Sequence, residues 1–347
     1  MNNDELISKY RFNTLIIYSP NREYQLLSKQ HQSSKYSTRS PGNDFNFIRR
    51  IKRKWERVPH THSYIFEGFY NAAVFLGLKV YWVGTQKELE NIASEHSLVM
   101  CEGSFLPDLK AQLSCSYILH SIPKELGNIC IELAKNNRLI HLDVFKIKAT
   151  KYSYISDLSY FDKNSFTLFQ PWATDLLPNQ ITRLKSSKNK DYISYYIGLL
   201  YEKGADIGKE INKMLLQSKN PIELKCVTGA SHKVSKDLIQ KSSLCIDIRY
   251  SWHQKAGYIP CRVFKTLSYG REIFVNSKSI KDNLSYIPSI KYYKSPLDLI
   301  KKWEDLCSYS ERKRKDIEDE ITFSNEEIKN KHTYVNRLLN IFTVFSS

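Results

Sequence analysis

No two of the seven cysteines form a Cys-x-x-Cys pair; they stand far apart at 101, 115, 130, 226, 245, 261 and 307. An odd number of scattered thiols inside strand-like and helix-like segments excludes a disulfide framework and a zinc finger. It predicts buried free thiols in a reducing compartment. Long hydrophobic runs are missing too: nothing approaches the ~18 consecutive apolar residues of a membrane span. The opening Met-Asn-Asn-Asp-Glu lacks the basic-then-apolar order of a secretory signal. These absences predict a soluble, cytoplasmic protein whose one membrane role would be peripheral contact. Helix-turn-helix, zinc-finger and ribonucleoprotein signatures are also missing, so no nucleic-acid partner is expected.

Positive charge is abundant. There are 52 Lys and Arg against 36 Asp and Glu, a net charge of +16. A field of that sign suits phosphorylated small molecules or an anionic surface. It concentrates at 49–57 (Arg49, Arg50, Lys52, Arg53, Lys54, Arg57) and at 312–315 (Arg312, Lys313, Arg314, Lys315). With 347 residues, 41% of them hydrophobic, the chain exceeds what one core usually holds, and two domains are expected.

The order of elements supports that division. A β-type run at 13–18 is followed by a polar stretch, 20–58, that reads as a long loop. A helical pattern from Tyr64 to Leu76, with Phe66, Phe69, Tyr70, Ala73 and Val74 inward, ends at Gly77 and leads into a strand at 78–83. Thr85 and Glu88 form a capping box for the next helix. Strands at 98–101, 115–120, 139–144 and 167–170 alternate with further helical segments. Residues 179–191 are polar and read as a linker. A second alternation follows: strand 192–198, helix 207–217, strand 222–227, helix 232–240, strand 244–248. Strand–helix alternation of this kind builds parallel sheets. The expected domains are 1–178, 192–310 and a helical tail, 311–347, packed on the first.

The stretch Gly257 to Gly270, followed by Ile273-Phe274-Val275, carries the strongest chemical signal. Pro260 suits the first turn of a helix and Gly270 its left-handed C′ position. Val263, Phe264 and Leu267 make its apolar face, and Arg262 and Lys265 lie one turn apart on another. Two cations beside a helix N-terminus make an anion site that suits a diphosphate.

Residues 192–340 resemble the nucleotide-sugar-binding half of GT-B glycosyltransferases. The resemblance rests on Tyr196-Ile197-Gly198, on the unit at 232–248, and on Arg262-Val263-Phe264-Lys265-Thr266-Leu267-Ser268-Tyr269-Gly270. The last is similar to the family's R-x-(F/L)-E-x-(L/M)-(A/S)-x-G helix before a (P/G)-(V/I)-(I/V) strand. His332-Thr333-Tyr334-Val335-Asn336-Arg337 resembles the H-T-Y-x-x-R tail of spore-maturation-like members. The resemblance implies two Rossmann-like, doubly wound α/β domains facing a central cleft. It implies a UDP- or GDP-sugar as donor substrate, a glycan or lipid-linked acceptor, and no other cofactor. Lys265 stands where many retaining members place a ribose-binding Glu, which moves the expectation toward inverting, fucosyltransferase-like enzymes. With no Asp-x-Asp motif, no metal is expected. The alternative is a GT-B-like binding protein without catalysis.

Candidate donor contacts are Arg262 and Lys265 for the diphosphate, with Thr266 beside them, and Arg249 at the end of the 244–248 strand. Tyr250, Trp252, His253 and Tyr258 could pack on the nucleoside. Gly198 would let backbone approach the ligand, and Lys203 would lie in the loop beyond it. An inverting transfer needs a base to take the acceptor proton. His62 at a helix N-terminus, Glu67, Asp108, His120 and Asp143 are the candidates; His62, Asp108 and His120 rank first. Asp175 would orient an acceptor or cap a helix.

Overall fold

The computed structural model describes residues 11–20, 36–41, 61–109, 113–122, 126–144, 165–182, 191–200 and 202–346. The basic cluster at 49–57 and most of the polar stretches 20–58 and 179–191 lie outside them. Contacts divide the chain into two units: Thr174–His332 with 36–41 in one, the segments on either side in the other. The chain thus leaves the first unit at Ala173 and returns at Thr333, earlier than the predicted linker.

The first unit is an α/β sandwich. Its strands are β1 (Thr14–Tyr18), β3 (Lys79–Val83), β4 (Ser97–Glu102), β5 (Ser116–His120), β6 (Leu139–Asp143) and β7 (Ser165–Phe169). They form one sheet in the order β3-β1-β4-β5-β6-β7, and every pairing is parallel. All five residues of β1 and of β5 are buried, as strands covered on both faces require. Helices α1 (Thr61–Phe75), α2 (Gln86–Ile92) and α3 (Gly127–Asn136) connect them. Thr85 and Glu88 make the expected capping box on α2.

On α1, Phe66, Phe69 and Ala73 are buried as predicted, and so are Ile65 and Ala72; Val74 is instead 52% exposed. The buried face is rotated because α1 is also covered by α11 (Tyr334–Ser346), the last helix. Tyr334 lies edge-on to Phe69 at 4.9 Å, and Phe342 and Phe345 pack on Phe12.

The second unit repeats the plan. Its strands are β2 (Ser37–Arg39), β8 (Ile193–Ile197), β9 (Glu223–Thr228), β10 (Ile246–Asp247), β11 (Ile273–Val275) and β12 (Ile290–Tyr292). They form two three-stranded sheets, β2-β9-β8 and β10-β11-β12. Serines join the two: Ser243 N–H donates to Ile193 O (3.0 Å) and Ser194 Oγ to Leu244 O (2.7 Å). The parallel strands therefore run β9-β8-β10-β11-β12. Strand β2 contradicts the reading of 20–58 as loop throughout: three polar residues pair antiparallel with β9.

Helices α4 (Glu202–Leu216), α5 (His232–Lys241), α6 (Ser251–Lys255), α7 (Cys261–Ser268), α8 (Lys278–Asn283), α9 (Pro296–Cys307) and α10 (Glu311–Lys331) complete this unit. Helix α7 buries Val263, Phe264 and Leu267, and Gly270 takes a φ of 77° just past its end, as the sequence predicted. The tail divides: α10 packs on α7, and only α11 belongs to the first unit. No described helix is long and apolar enough to cross a membrane.

Candidate functional site

In chain order within each unit, the parallel strands run 2-1-3-4-5, with a sixth in the first unit. In such sheets the order reverses beside the first strand, and the carboxyl ends there form the natural binding crevice. The reversal lies between β8 and β10 in the second unit and between β1 and β4 in the first. Both ends carry charged clusters.

At the carboxyl end of β10, Asp247 is fully buried and holds two arginines. Arg249 donates through Nε to Oδ2 (2.7 Å) and through Nη2 to Oδ1 (2.6 Å). Arg262, from the first turn of α7, donates through Nη1 to Oδ1 (2.5 Å). Its Nε and Nη2 both reach the carbonyl of Ile197, the last residue of β8, at 3.0 and 2.7 Å. The guanidinium lies 3.7 Å from the Tyr196 ring centroid. Burial alone would raise the Asp247 pKa, but Arg249 and Arg262 outweigh it and hold it below the usual range. Two guanidiniums on one carboxylate leave one net positive charge at the strand-order reversal.

The backbone of Arg249 is clamped as firmly: its N–H donates to Asn276 Oδ1 (2.7 Å), and its carbonyl accepts from Asn276 Nδ2 and Gln254 Nε2 (2.8 Å each). Tyr250, Trp252, His253 and Tyr258 gather beside it. His253 lies 4.3 Å from Tyr250, 4.0 Å from Trp252 and 5.2 Å from Tyr258, and Arg249 sits over the Tyr258 ring. The predicted aromatic loop is in part the short helix α6. Burial, helped by Arg249, pushes the His253 pKa down to about 4, so this aromatic wall is uncharged at neutral pH.

Several expectations are corrected here. Gly198 has a φ of 125°, and a Cβ there would stand 2.8 Å from Arg262 Nη2; the close approach it permits is that of Arg262. Lys203 is exposed in the first turn of α4 instead of lying in a loop. Thr266 is 2% exposed and offers no surface to a ligand.

Lys265 does not join Arg262. It turns to Asp175 (Nζ to Oδ1, 3.8 Å) and to His232 Nδ1 (3.5 Å). Asp175 caps no helix: it accepts from Tyr269 Oη (2.6 Å) and pairs with His232 Nδ1 (2.5 Å). Burial opposes its ionisation, but Lys265 and His232 overcome that and hold it a carboxylate.

In the first unit, His62 on the opening turn of α1 meets Glu102 at the carboxyl end of β4, Nδ1 to Oε2 3.0 Å. His120 ends β5 with its ring 5.0 Å from that of His62, between Phe66 (5.3 Å) and Trp172 (5.5 Å). It is 1% exposed, and burial together with nearby His62 pushes its pKa down to about 3. His120 is therefore a neutral, packed imidazole and not a surface base. With Ser121, His141, Asp143 and Trp172 it lines a small hollow of about 10 Å³. Glu67 is half-buried on α1. Asp108 closes a 3-10 turn, Gly103–Asp108, and its side chain lies outside the described residues.

Sequence reasoning missed Asp247, Glu102 and His232. Asp247 and Glu102 sit at strand ends, a position that could have flagged them; nothing local marks His232. Among the described residues, no group of three or more His, Cys, Asp or Glu is disposed to hold a metal ion.

No protein-family model matches the chain, and no curated protein does. Among solved structures the chain is similar to the crystal structure of TarM, at a TM-score of 0.49 and 14% identity. The alignment covers 75% of this chain and 57% of that one, so the chain spans little more than half of TarM's length.

Proposed function

We propose that this chain is a glycosyltransferase of the GT-B type. It would move a sugar from a UDP- or GDP-sugar held by the second unit to a hydroxyl of a glycan or lipid-linked acceptor. One observation carries the reading: the arginine pair anchored on Asp247 at the strand-order reversal, beside an uncharged aromatic wall. The arginines supply an oriented cation for a phosphate and the rings a surface for a nucleoside.

In the transfer, the bond from the anomeric carbon to the phosphate oxygen breaks and its electron pair stays on the diphosphate. Arg249 and Arg262, already fixed by Asp247, stabilise that charge without rearranging. They fill the place a divalent cation takes elsewhere, so the reaction is read as metal-independent. The acceptor oxygen bonds to the anomeric carbon and gives its proton to a base, the role proposed for His62. Glu102 orients the ring and stabilises the imidazolium that forms. A base acting directly on the acceptor predicts inversion.

The test is release of UDP or GDP from a panel of their sugars, with and without glycan acceptors. His62→Ala should lower turnover about 10²–10⁴-fold while nucleoside diphosphate affinity stays. Arg262→Ala should weaken that affinity. Binding without transfer under any donor and acceptor would leave a binding protein, and absence of binding would end the reading.

A further inference from the structure

The carboxyl ends of β4, β5 and β6 are direct neighbours in the first unit's sheet, with Glu102 beside His120 and His120 beside Leu142. Past β5 the chain turns at once. Ser121 takes a φ of 54°, a left-handed value for a residue with a side chain. Ile122 then passes so close to Gly103 that a Cβ there would stand 2.4 Å from its Cα. The turn sets the half-buried Ser121 hydroxyl against the ring of His120, Nδ1 to Oγ 3.3 Å. The other ring nitrogen, Nε2, is buried and has no hydrogen-bond partner among the described residues. A buried polar atom of that kind is costly, and as a rule a water or a ligand meets it. The hollow that His120 lines with Ser121, Asp143 and Trp172, about 10 Å³, has room for about one oxygen atom.

We propose that this hollow seats one hydroxyl of an uncharged polyol, a sugar above all, held by His120 Nε2 with Ser121 and Asp143 at the rim. A hydroxyl suits the ring in either neutral form. If Nδ1 accepts from Ser121, Nε2 carries a proton and donates; if Nδ1 donates, Nε2 presents a lone pair. A hydroxyl answers both, whereas a phosphate or carboxylate oxygen only accepts. Burial, and for His120 also the nearby His62, pushes the pKa values of His120 and His141 down to about 3 and about 4, so neither ring draws an anion at neutral pH. No Lys or Arg lines the hollow among the described residues, while Asp143 and Glu102 bring carboxyl groups to these strand ends. That is the reverse of the arginine pair in the second unit. As an acceptor site the hollow depends on the reading above; as a binding site it depends on the first unit alone, and its test needs no nucleotide.

The probes are glucose, N-acetylglucosamine and glycerol, with glucuronate and glucose 6-phosphate as anionic counterparts of glucose, titrated into the full chain and read by ligand-observed NMR. At least one neutral probe should bind, and the anionic probes should bind about three-fold or more weakly than glucose. His120→Phe keeps a ring between Phe66 and Trp172 but removes both nitrogens. Ser121→Gly removes the hydroxyl and relieves the left-handed backbone. Each should weaken the neutral probe about three- to ten-fold while the urea midpoint holds or rises, a combination that partial unfolding does not give. Absence of binding by every neutral probe would leave a water as the occupant and overturn the proposal. Affinity unmoved by His120→Phe, or an anionic probe bound more tightly than glucose, would overturn it too. Titrating UDP and GDP in parallel separates the two readings. Sugar binding without nucleotide binding would defeat the donor reading alone, and nucleotide binding without sugar binding would defeat this site alone.

Discussion

Gly198 shows how much rests on one missing side chain. Its φ of 125° is a left-handed value that L residues resist, and its empty side holds Arg262 Nη2. Gly198→Ala should therefore cost about 1–3 kcal/mol and also displace the guanidinium. Urea unfolding should register the first effect and UDP or GDP affinity the second; unchanged affinity would mean that Arg262 does not serve the ligand. His120 and His141 make a second case. Burial first, and for His120 also the nearby His62, push their pKa values down to about 3 and about 4. An unfolded histidine titrates near 6.5. From there down to about pH 3 the unfolded chain binds more protons, so stability rises with pH in that window and is complete above it. Urea midpoints between pH 7 and pH 4 should fall as acid is added. His120→Gln should flatten the slope by up to about 1.4 kcal/mol per pH unit; an unaltered slope would show that His120 is not buried neutral.

At the scale of elements, α11 is sequence-distant but structurally part of the first unit. A Cβ on Gly68 of α1 would stand 2.3 Å from the Tyr334 ring, so the two helices touch closely there. Gly68→Ala should cost about 1–3 kcal/mol by overpacking, read as a lower urea midpoint of the first unit; no change would mean that α11 does not dock on α1. Arg337 Nε donates to Pro171 O (2.7 Å), and Gln170 Nε2 donates to Arg337 O (3.2 Å), so α11 also holds the segment where the chain leaves this unit. The elements were largely legible in the sequence. Apolar runs marked β1, β5 and β6, Thr85 and Glu88 marked α2, and Pro260 and Gly270 bounded α7. Strand β2 was not legible, because Ser37-Thr38-Arg39 has no apolar alternation and takes its conformation from the edge of β9. Neither was the exposure of Val74 or the burial of Ile65 and Ala72, since the face that α11 covers is set some 260 residues downstream.

For the whole molecule, the two units carry the same strand order on separate cores, and two-state behaviour is not expected of such a chain. Calorimetry should resolve two transitions. Saturating UDP or GDP should raise one of them, by about 2.7 kcal/mol at a hundred times Kd, and leave the other in place. Movement of both together would mean that the ligand is not confined to the second unit. The division was visible in the repeated alternation, but its seams were not: nothing in Ala173-Thr174 or His332-Thr333 differs in composition from its surroundings. The site was legible only by halves. Arg249 and Arg262 stood out as charges at a strand end and a helix start, and His62 as an imidazole at a helix N-terminus. Their partners Asp247 and Glu102, and the turn of Lys265 toward Asp175, depend on contacts that local sequence does not encode.

The return of the chain at Thr333 has a consequence for synthesis. A ribosome delivers β1 to β7 early, yet α1 lacks its cover until the second unit has been translated and Tyr334–Ser346 has emerged. The unit that begins first is finished last. Any nascent chain stalled before Tyr334 would display α1's apolar face to chaperones and proteases, which makes α11 a check that translation has passed the second unit.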